Sequence, residues 1–211
     1  MKTGLYSFHI TLQDPALLPF YKGSTFRGVL GHALKRIVCA LRLTTCEDCI
    51  LKTHCAYALV FETRLARPAP QGDRVSDPPH PLVIQPPLTI QQEFDKGDSL
   101  CCNLLLFGEI NRHLPYFIYA FDQMGRLGIG RRINGRRSRF LLTAVTCEGV
   151  SLYRKGEDHI TVPDTLPETT LSPNQTRPVT RLTLKLITPL RIAGREKGPA
   201  DLPFDVLVRS L

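Results

Sequence analysis

The segment GLYSFHITL at residues 4–12, followed by STFRGVLGHALKRIVCALRL at residues 24–43, decides the fold. Apolar and polar residues nearly alternate in the first segment, which predicts a β-strand. Its apolar positions are Leu5, Phe8, Ile10 and Leu12. In the second segment, apolar residues recur at i, i+3, i+4 and i+7, which predicts an amphipathic helix capped by Ser24 or Thr25. A strand followed by a helix is a typical opening of an α+β domain.

The segments that follow complete this plan. Strand-like stretches occur at residues 57–62, 82–84, 88–92, 100–110, 140–147 and 150–154. A second helix is predicted to start near Pro115, with a buried stripe of Phe117, Ile118, Phe121 and Met124. A tight turn at Glu148-Gly149 joins the last two strands. The order β-α-β-β-α-β predicts an α+β fold with a ferredoxin-like domain, similar to an RNA-recognition motif, over residues 1–155.

The C-terminal part of the chain has a different composition. Residues 156–179 are polar and contain four prolines, so they are predicted to be a linker. Beyond them, residues 181–192 look like a strand and residues 204–211 like the beginning of a helix. Residues 180–211 are therefore expected to begin a second, incomplete ferredoxin-like domain.

The charge balance points to a polyanionic partner. The chain has 27 Lys and Arg against 19 Asp and Glu, a net charge of +8. Such a protein attracts nucleic acid first and an anionic membrane surface second. No apolar run approaches the roughly 18 residues of a membrane span, and the N-terminus has a strand pattern and not that of a signal peptide. We expect a cytoplasmic protein without a membrane partner.

Positive charge is concentrated in a loop at residues 125–139, which holds six arginines, four glycines and no acidic residue. Glycine lets the main chain approach phosphates, and arginine adds bidentate phosphate contacts and stacking on bases. Alternatively, the glycines only make the connection and the arginines are only solvated. Without an anion, six uncompensated arginines would repel one another, which favours a contact with RNA. The G-K-[ST] ending of a nucleotide-binding P-loop is missing.

Four cysteines lie in an insertion at residues 39–55 with the spacing C-x6-C-x2-C-x5-C. They are Cys39, Cys46, Cys49 and Cys55. A C-x2-C knuckle with two further thiols could hold a structural zinc ion, and an iron–sulfur cluster makes similar demands. Ordinary thiols near the end of a helix are the alternative. His54 stands beside the last cysteine and belongs to the same hypothesis.

Five segments, in order along the chain, resemble a known family. They are KGSTFRGVLGHAL at 22–34, CEDCILKTHCAYALVFE at 46–62, PLVIQPP at 81–87, the glycine-rich loop at 125–140 and TPLR at 188–191. Together they resemble the CRISPR-associated RAMP superfamily, and within it the endoribonucleases that process precursor CRISPR RNA. The resemblance extends over essentially the whole chain.

The resemblance implies cleavage of a CRISPR repeat RNA by attack of its own 2′-hydroxyl, without a metal or other cofactor. A histidine near the first helix does the acid–base work in this family, often with Tyr or Lys, which makes His32, Tyr21 and Lys35 the catalytic candidates. A solvated surface histidine is the alternative for His32, and His54, for which the metal hypothesis competes, is the second catalytic candidate. The expected RNA-binding residues are Lys22, Arg27, Arg126, Arg131, Arg132, Arg136, Arg137 and Arg139.

Two other functions remain open at this point. The chain could be a non-catalytic RAMP subunit that holds guide RNA together with other CRISPR-associated subunits, or a cysteine-ligated metal or redox module. Members of the resembled family usually continue through a complete second domain, and this chain stops just past the first strand of that domain. That difference puts cleavage by the isolated chain in doubt.

Overall fold

The computed structural model describes residues 1–68, 78–163, 165–167, 181, 183–189 and 204. The chain divides into two units, Met1–Ser172 and Pro173–Leu211. All the helices and strands given below belong to the first unit, so the fold is that of its described residues.

The first unit contains nine strands and four α-helices within the described residues. The strands are β1 (Thr3–Leu12), β2 (Ala16–Leu17), β3 (Leu82–Gln85), β4 (Glu93–Phe94), β5 (Ser99–Phe107), β6 (Ile129–Ile133), β7 (Arg136–Ser138), β8 (Phe140–Cys147) and β9 (Val150–Arg154). The helices are α1 (Gly23–Val38), α2 (Ala56–Phe61), α3 (Thr63–Ala66) and α4 (Leu114–Leu127), and a 3₁₀ helix (Gly108–His113) precedes α4.

The main sheet is antiparallel and has five strands in the order β3-β5-β1-β8-β9. Its central strand β1 pairs with β5 on one side and with β8 on the other. The turn between β8 and β9 has positive φ at both Glu148 (49°) and Gly149 (81°), as a type I′ hairpin requires. The predicted mixed α+β fold is therefore confirmed, and the sequence gives the bounds of β8 and β9 correctly.

The core lies on one face of this sheet, beneath α1 and α4. Alternate residues of β1 point into it, namely Tyr6, Phe8, Ile10 and Leu12, and all four are buried. The Phe8 ring stacks on Phe121 of α4, with ring centroids 4.2 Å apart. The predicted stripe of α4 is fully buried, and its Pro115 stands in the first helical turn, where a missing N–H costs no hydrogen bond. Leu5, by contrast, is exposed, because it lies on the opposite face of β1 from Tyr6.

Several predicted elements differ from the structure. Residues 57–62 are predicted as a strand, but Ala56–Phe61 forms α2, since a short apolar run does not distinguish the two. Helix α1 ends at Val38 and not near Leu43, because Leu41 and Leu43 face solvent and offer no packing to a longer helix. Ser24 and Thr25 lie inside α1, and the residue that precedes it is Lys22.

The C-terminal boundaries also differ from the prediction. The linker prediction starts at residue 156, yet Ile160 and Leu166 pack against the core of the first unit. The amide of Thr3 donates a hydrogen bond to the carbonyl of Pro167, 3.0 Å away, which fixes this stretch to β1. A strand needs a paired neighbour, and the described residues among 181–192 show no strand pairing. The other residues of that stretch, and nearly all of 204–211, lie outside the described part.

Candidate nucleic-acid interface

The arginine-rich loop folds into a β-hairpin formed by β6 and β7. Asn134 and Gly135 make its turn with φ of 50° and 79°, a conformation that Asn-Gly adopts readily. The hairpin begins directly after α4, so residues 125–127, predicted as loop, form the last turn of that helix. The Asn-Gly pair between two strand-like segments is the sequence signal that predicts this hairpin, and reading 125–139 as a loop overlooked it.

Close packing holds the hairpin against the rest of the domain. Gly130 has φ of 78°, and a Cβ there would lie 2.6 Å from the carbonyl oxygen of Leu17 in β2. The Ser138 hydroxyl donates to the Pro15 carbonyl at 2.5 Å, and the Gln13 amide donates to the Arg139 carbonyl at 2.9 Å. Gly130 is therefore needed for the contact between hairpin and domain, and no role in phosphate binding is required to explain it.

The hairpin and the exposed side of α1 enclose a groove of about 1360 Å³. We call it the hairpin groove. Its basic and polar lining consists of Ser24, Thr25, His32, Arg126, Arg132, Asn134, Arg136, Arg137, Ser138 and Arg139, with Asp14 as its acidic member. Gly28 also lines it and has open space above its Cα, which leaves the floor of the groove accessible. Ser24 and Thr25 were expected only as helix caps, so their place in the groove was missed.

Two of the six loop arginines are neutralised. Arg139 donates to both carboxylate oxygens of Asp14, at 2.9 and 3.3 Å, and this interaction lowers the pKa of Asp14. Arg126 pairs with Asp122 at 3.1 Å, one helical turn earlier. Within the described residues, the other four arginines have no ion-pair partner; they are Arg131, Arg132, Arg136 and Arg137. All four are exposed, and only Arg131 does not line the groove.

The three catalytic candidates are not brought together in the hairpin groove. His32 is exposed and lines it. Lys35 is on the same helix but lies with its ammonium 5.0 Å from the centre of the Tyr57 ring, outside this groove. Tyr21 does not line the groove either, because its ring folds over Gly23 at the start of α1. Of the three candidates, only His32 lines the hairpin groove.

Two residues expected to bind RNA make contacts within the domain. Lys22 is 1% exposed, and its ammonium donates to the carbonyls of Pro19, Phe20 and Thr89 at 3.3, 3.4 and 2.8 Å. Burial lowers the pKa of this lysine. The Arg27 guanidinium lies 4.9 Å from the centre of the Phe61 ring. Lys22 is therefore not available to a phosphate, because its charge holds residues 19–22 to the segment at Thr89.

The four cysteines of the insertion line one cavity of about 380 Å³. His54, His113, Tyr57 and Tyr116 line it too. Burial raises the pKa of the Tyr57 hydroxyl to about 12, with smaller contributions from Glu62 and the nearby Cys46 and Cys55 sulfurs. The spacing of the cysteines thus places them around a common space, as the zinc hypothesis requires.

The geometry of this cavity does not complete a metal site. In the part of the chain that the structure describes, no three His, Cys, Asp or Glu side chains are grouped closely enough to hold a metal ion. All four cysteines are free thiols. Binding of zinc would require the cysteine segment to contract around the ion, and zinc binding stays a prediction.

Within the described residues, no helix is long and apolar enough to cross a membrane.

Fold and groove together define an α+β domain with an antiparallel sheet and an arginine-bearing hairpin beside its first helix. The chain belongs to the AF_1859_N family: residues 1–165 match this family, which is described as an N-terminal domain. The matched residues lie within the first structural unit, Met1–Ser172.

Two further similarities are more distant. An uncharacterized protein of Archaeoglobus fulgidus is 29% identical over 112 residues, which cover 53% of this chain and 37% of that protein. The match thus spans little more than a third of the relative's length. Among solved structures, a Csm3-Csm4 subcomplex of the type III-A CRISPR-Cas interference complex has a chain with 13% identity and a TM-score of 0.43. The superposed region covers 69% of this chain and 79% of that one.

Proposed function

We propose that this chain is a CRISPR-associated protein of the RAMP superfamily and binds single-stranded repeat RNA in the hairpin groove. The observation that carries the proposal is the placement of Arg132, Arg136 and Arg137, three exposed arginines that line one groove and have no ion-pair partner among the described residues. Charges held together in this way repel one another, and a phosphate backbone would relieve that repulsion.

The layout of the sheet supports the superfamily part of this proposal. We assign β1, β3, β5 and β8, with α1 and α4, to the six elements of a ferredoxin-like β-α-β-β-α-β unit. In that assignment β1 and β5, the first and third strands of the unit, are central, and β3 and β8 flank them. The remaining strand β9 extends the sheet through its hairpin with β8. The five family-like sequence segments point in the same direction.

The binding proposal is tested with the full chain and a fluorescently labelled single-stranded repeat RNA. We expect Arg132→Ala, Arg136→Ala and Arg137→Ala, combined in one variant, to weaken the affinity strongly. Arg131→Ala is the control for each single replacement, because it removes one positive charge from the same hairpin outside the groove. Unchanged affinity of the triple variant would move the RNA site elsewhere on the protein.

We further propose that bound RNA is cleaved, with His32 as the general acid or base. The observation that favours cleavage is that His32 shares the groove with the unpaired arginines. As a base, it would take the proton of the 2′-hydroxyl while the 2′-oxygen bonds to phosphorus. The bond from phosphorus to the 5′-oxygen then breaks, that oxygen takes a proton from solvent, to which His32 returns the proton it accepted, and a 2′,3′-cyclic phosphate remains. The arginines would stabilise the charge on the phosphorane.

Incubation of labelled repeat RNA with the chain in EDTA separates cleavage from binding alone. The proposal expects a product that ends in a 2′,3′-cyclic phosphate or a 3′-phosphate, in the absence of any divalent metal. Tight binding without a product would instead favour the non-catalytic role in a complex with other CRISPR-associated subunits. If the chain neither binds nor cleaves the RNA, its interpretation as a cysteine-ligated metal or redox module would be favoured.

A further inference from the structure

A second groove, of about 700 Å³, runs between α1 and α4 beside the hairpin groove. We call it the helical groove. Its polar lining is formed by His32, Lys35, Arg36, Arg42, Tyr119, Gln123 and Arg126. No acidic side chain of the described residues is part of this lining, although Asp122 pairs with Arg126 from outside it. The helical groove is thus a second basic surface, and its members Arg36, Arg42, Tyr119 and Gln123 are residues that the sequence motifs do not single out.

Tyr119 is the feature of this groove that points to a particular ligand. It is 52% exposed on α4, while its neighbours Ile118 and Ala120 are buried. Within the described residues, it has no hydrogen bond and no ring contact. An aromatic ring left free among basic side chains is the arrangement by which proteins stack the bases of a single strand while they contact its phosphates.

The two grooves form one continuous surface. His32, Arg126 and Leu127 line both of them. A strand that leaves the hairpin groove can therefore enter the helical groove past His32 and Arg126. Helix α1 has 16 residues and is about 24 Å long, so it can follow several nucleotides of an extended strand.

We propose that the helical groove binds the nucleotides next to those in the hairpin groove, with one base stacked on Tyr119. Lys35, Arg36 and Arg42 contact the phosphates on either side of that base. This inference rests on the proposed RNA binding. It adds that the RNA segment in the helical groove is single-stranded, because a base inside a duplex cannot stack on a protein ring. Stacking tolerates any base, so this groove adds affinity without sequence preference.

The test measures binding of the full chain to a fluorescein-labelled oligouridylate long enough to span both grooves. Tyr119→Ala should weaken binding about 5- to 140-fold, the range expected for one lost base stack. The salt dependence of RNA binding by Tyr119→Ala should be that of the wild type, since no charge is lost. Tyr119→Phe should bind like the wild type, because the ring remains. Tyr116→Ala is the matched control: Tyr116 is 49% exposed on the same helix but does not line the helical groove.

The outcomes separate this inference from the function on which it rests. If Tyr119→Ala binds normally while the triple arginine variant does not, the helical groove is refuted and the hairpin groove stands. If neither variant loses affinity, both proposals fail. Equal losses in Tyr116→Ala and Tyr119→Ala would also overturn the inference, because the effect would then not be specific to the groove. Thermal unfolding of each variant excludes a loss caused by a destabilised α4.

Discussion

His32 is the residue on which the cleavage proposal depends, and it can be removed without disturbing the fold. It is exposed on α1, where alanine has the higher helix propensity. We expect His32→Ala to lower the cleavage rate about 10²- to 10⁴-fold, the usual contribution of general acid–base catalysis, while the RNA affinity changes only a few-fold. Single-turnover cleavage and equilibrium binding measure the two effects separately.

His159→Ala is the control for this variant, since His159 is exposed and, among the residues that the structure describes, pairs only with Asp158. It should leave cleavage unchanged. Full activity of His32→Ala would contradict the role of His32 and would direct attention to His54 or Tyr21.

Lys22 shows why a basic residue in a family-like motif need not touch RNA. Its charge is satisfied by three main-chain carbonyls in a buried position. We expect Lys22→Met to lower the free energy of unfolding by about 1–3 kcal/mol, because three partly buried hydrogen bonds from the ammonium to main-chain carbonyls are lost. The salt dependence of RNA binding by the folded variant should stay as in the wild type. A flatter salt dependence without loss of stability would show that Lys22 contacts phosphate after all.

Sequence reasoning could identify the basic residues but not their surroundings. Charge and spacing are visible in the sequence, so the arginine-rich segment and His32 could be predicted. The sequence does not show which charges are already paired, because Asp14 meets Arg139 across 125 positions of the chain. Nor does it show that Lys22 is buried, since that depends on the distant segment at Thr89.

At the scale of elements, the β6–β7 hairpin depends on Gly130 for its contact with β2. Gly130→Ala would combine a strained positive φ with a clash against the Leu17 carbonyl. We expect it to lower the free energy of unfolding by more than the roughly 1–2 kcal/mol of the conformational strain alone. Gly135→Ala is the matched control, because Gly135 has a similar φ of 79° but open space around it. Denaturant unfolding of both variants gives the comparison, and equal losses would mean that the hairpin is not packed against β2 as described.

The cysteine segment at residues 39–55 carries a separate prediction. If its four thiols bind zinc, protein purified under reducing conditions should contain about one zinc per chain by elemental analysis. Replacement of Cys46 and Cys49 by serine should abolish the zinc content, because the C-x2-C pair supplies half of the zinc ligands. Serine at the exposed Cys101, which lies in β5, should leave it unchanged. Metal-free wild-type protein would identify these residues as ordinary thiols.

Two elements that carry two independent signals each were predicted well, whereas the type of α2 and the end of α1 were not. Helix α4 has both an apolar stripe and a proline in its first turn, and the β8–β9 hairpin has both alternation and a Glu-Gly turn. Helix α2 is a six-residue apolar run without a cap, and its type is decided by packing on α1. The end of α1 at Val38 likewise depends on where the core ends, which no local residue marks.

At the scale of the whole molecule, the described fold and the family match concern the first unit. The AF_1859_N match ends at residue 165, inside Met1–Ser172. The Archaeoglobus fulgidus relative is matched over 37% of its length. The residues of the hairpin groove, in which we propose that RNA binds, all lie in this unit.

The most direct test of the central claim is the salt dependence of repeat-RNA affinity, measured by fluorescence anisotropy of the full chain. Each phosphate contact to a single strand contributes about 0.7 to the slope of log affinity against log salt. The triple variant at Arg132, Arg136 and Arg137 should therefore lose about 2 from the slope together with its affinity, while Arg131→Ala should change both only slightly. RNA binding in the hairpin groove would be contradicted if the triple variant kept the wild-type slope. It would also be contradicted if Arg131→Ala lowered the slope and the affinity as much as the triple replacement does.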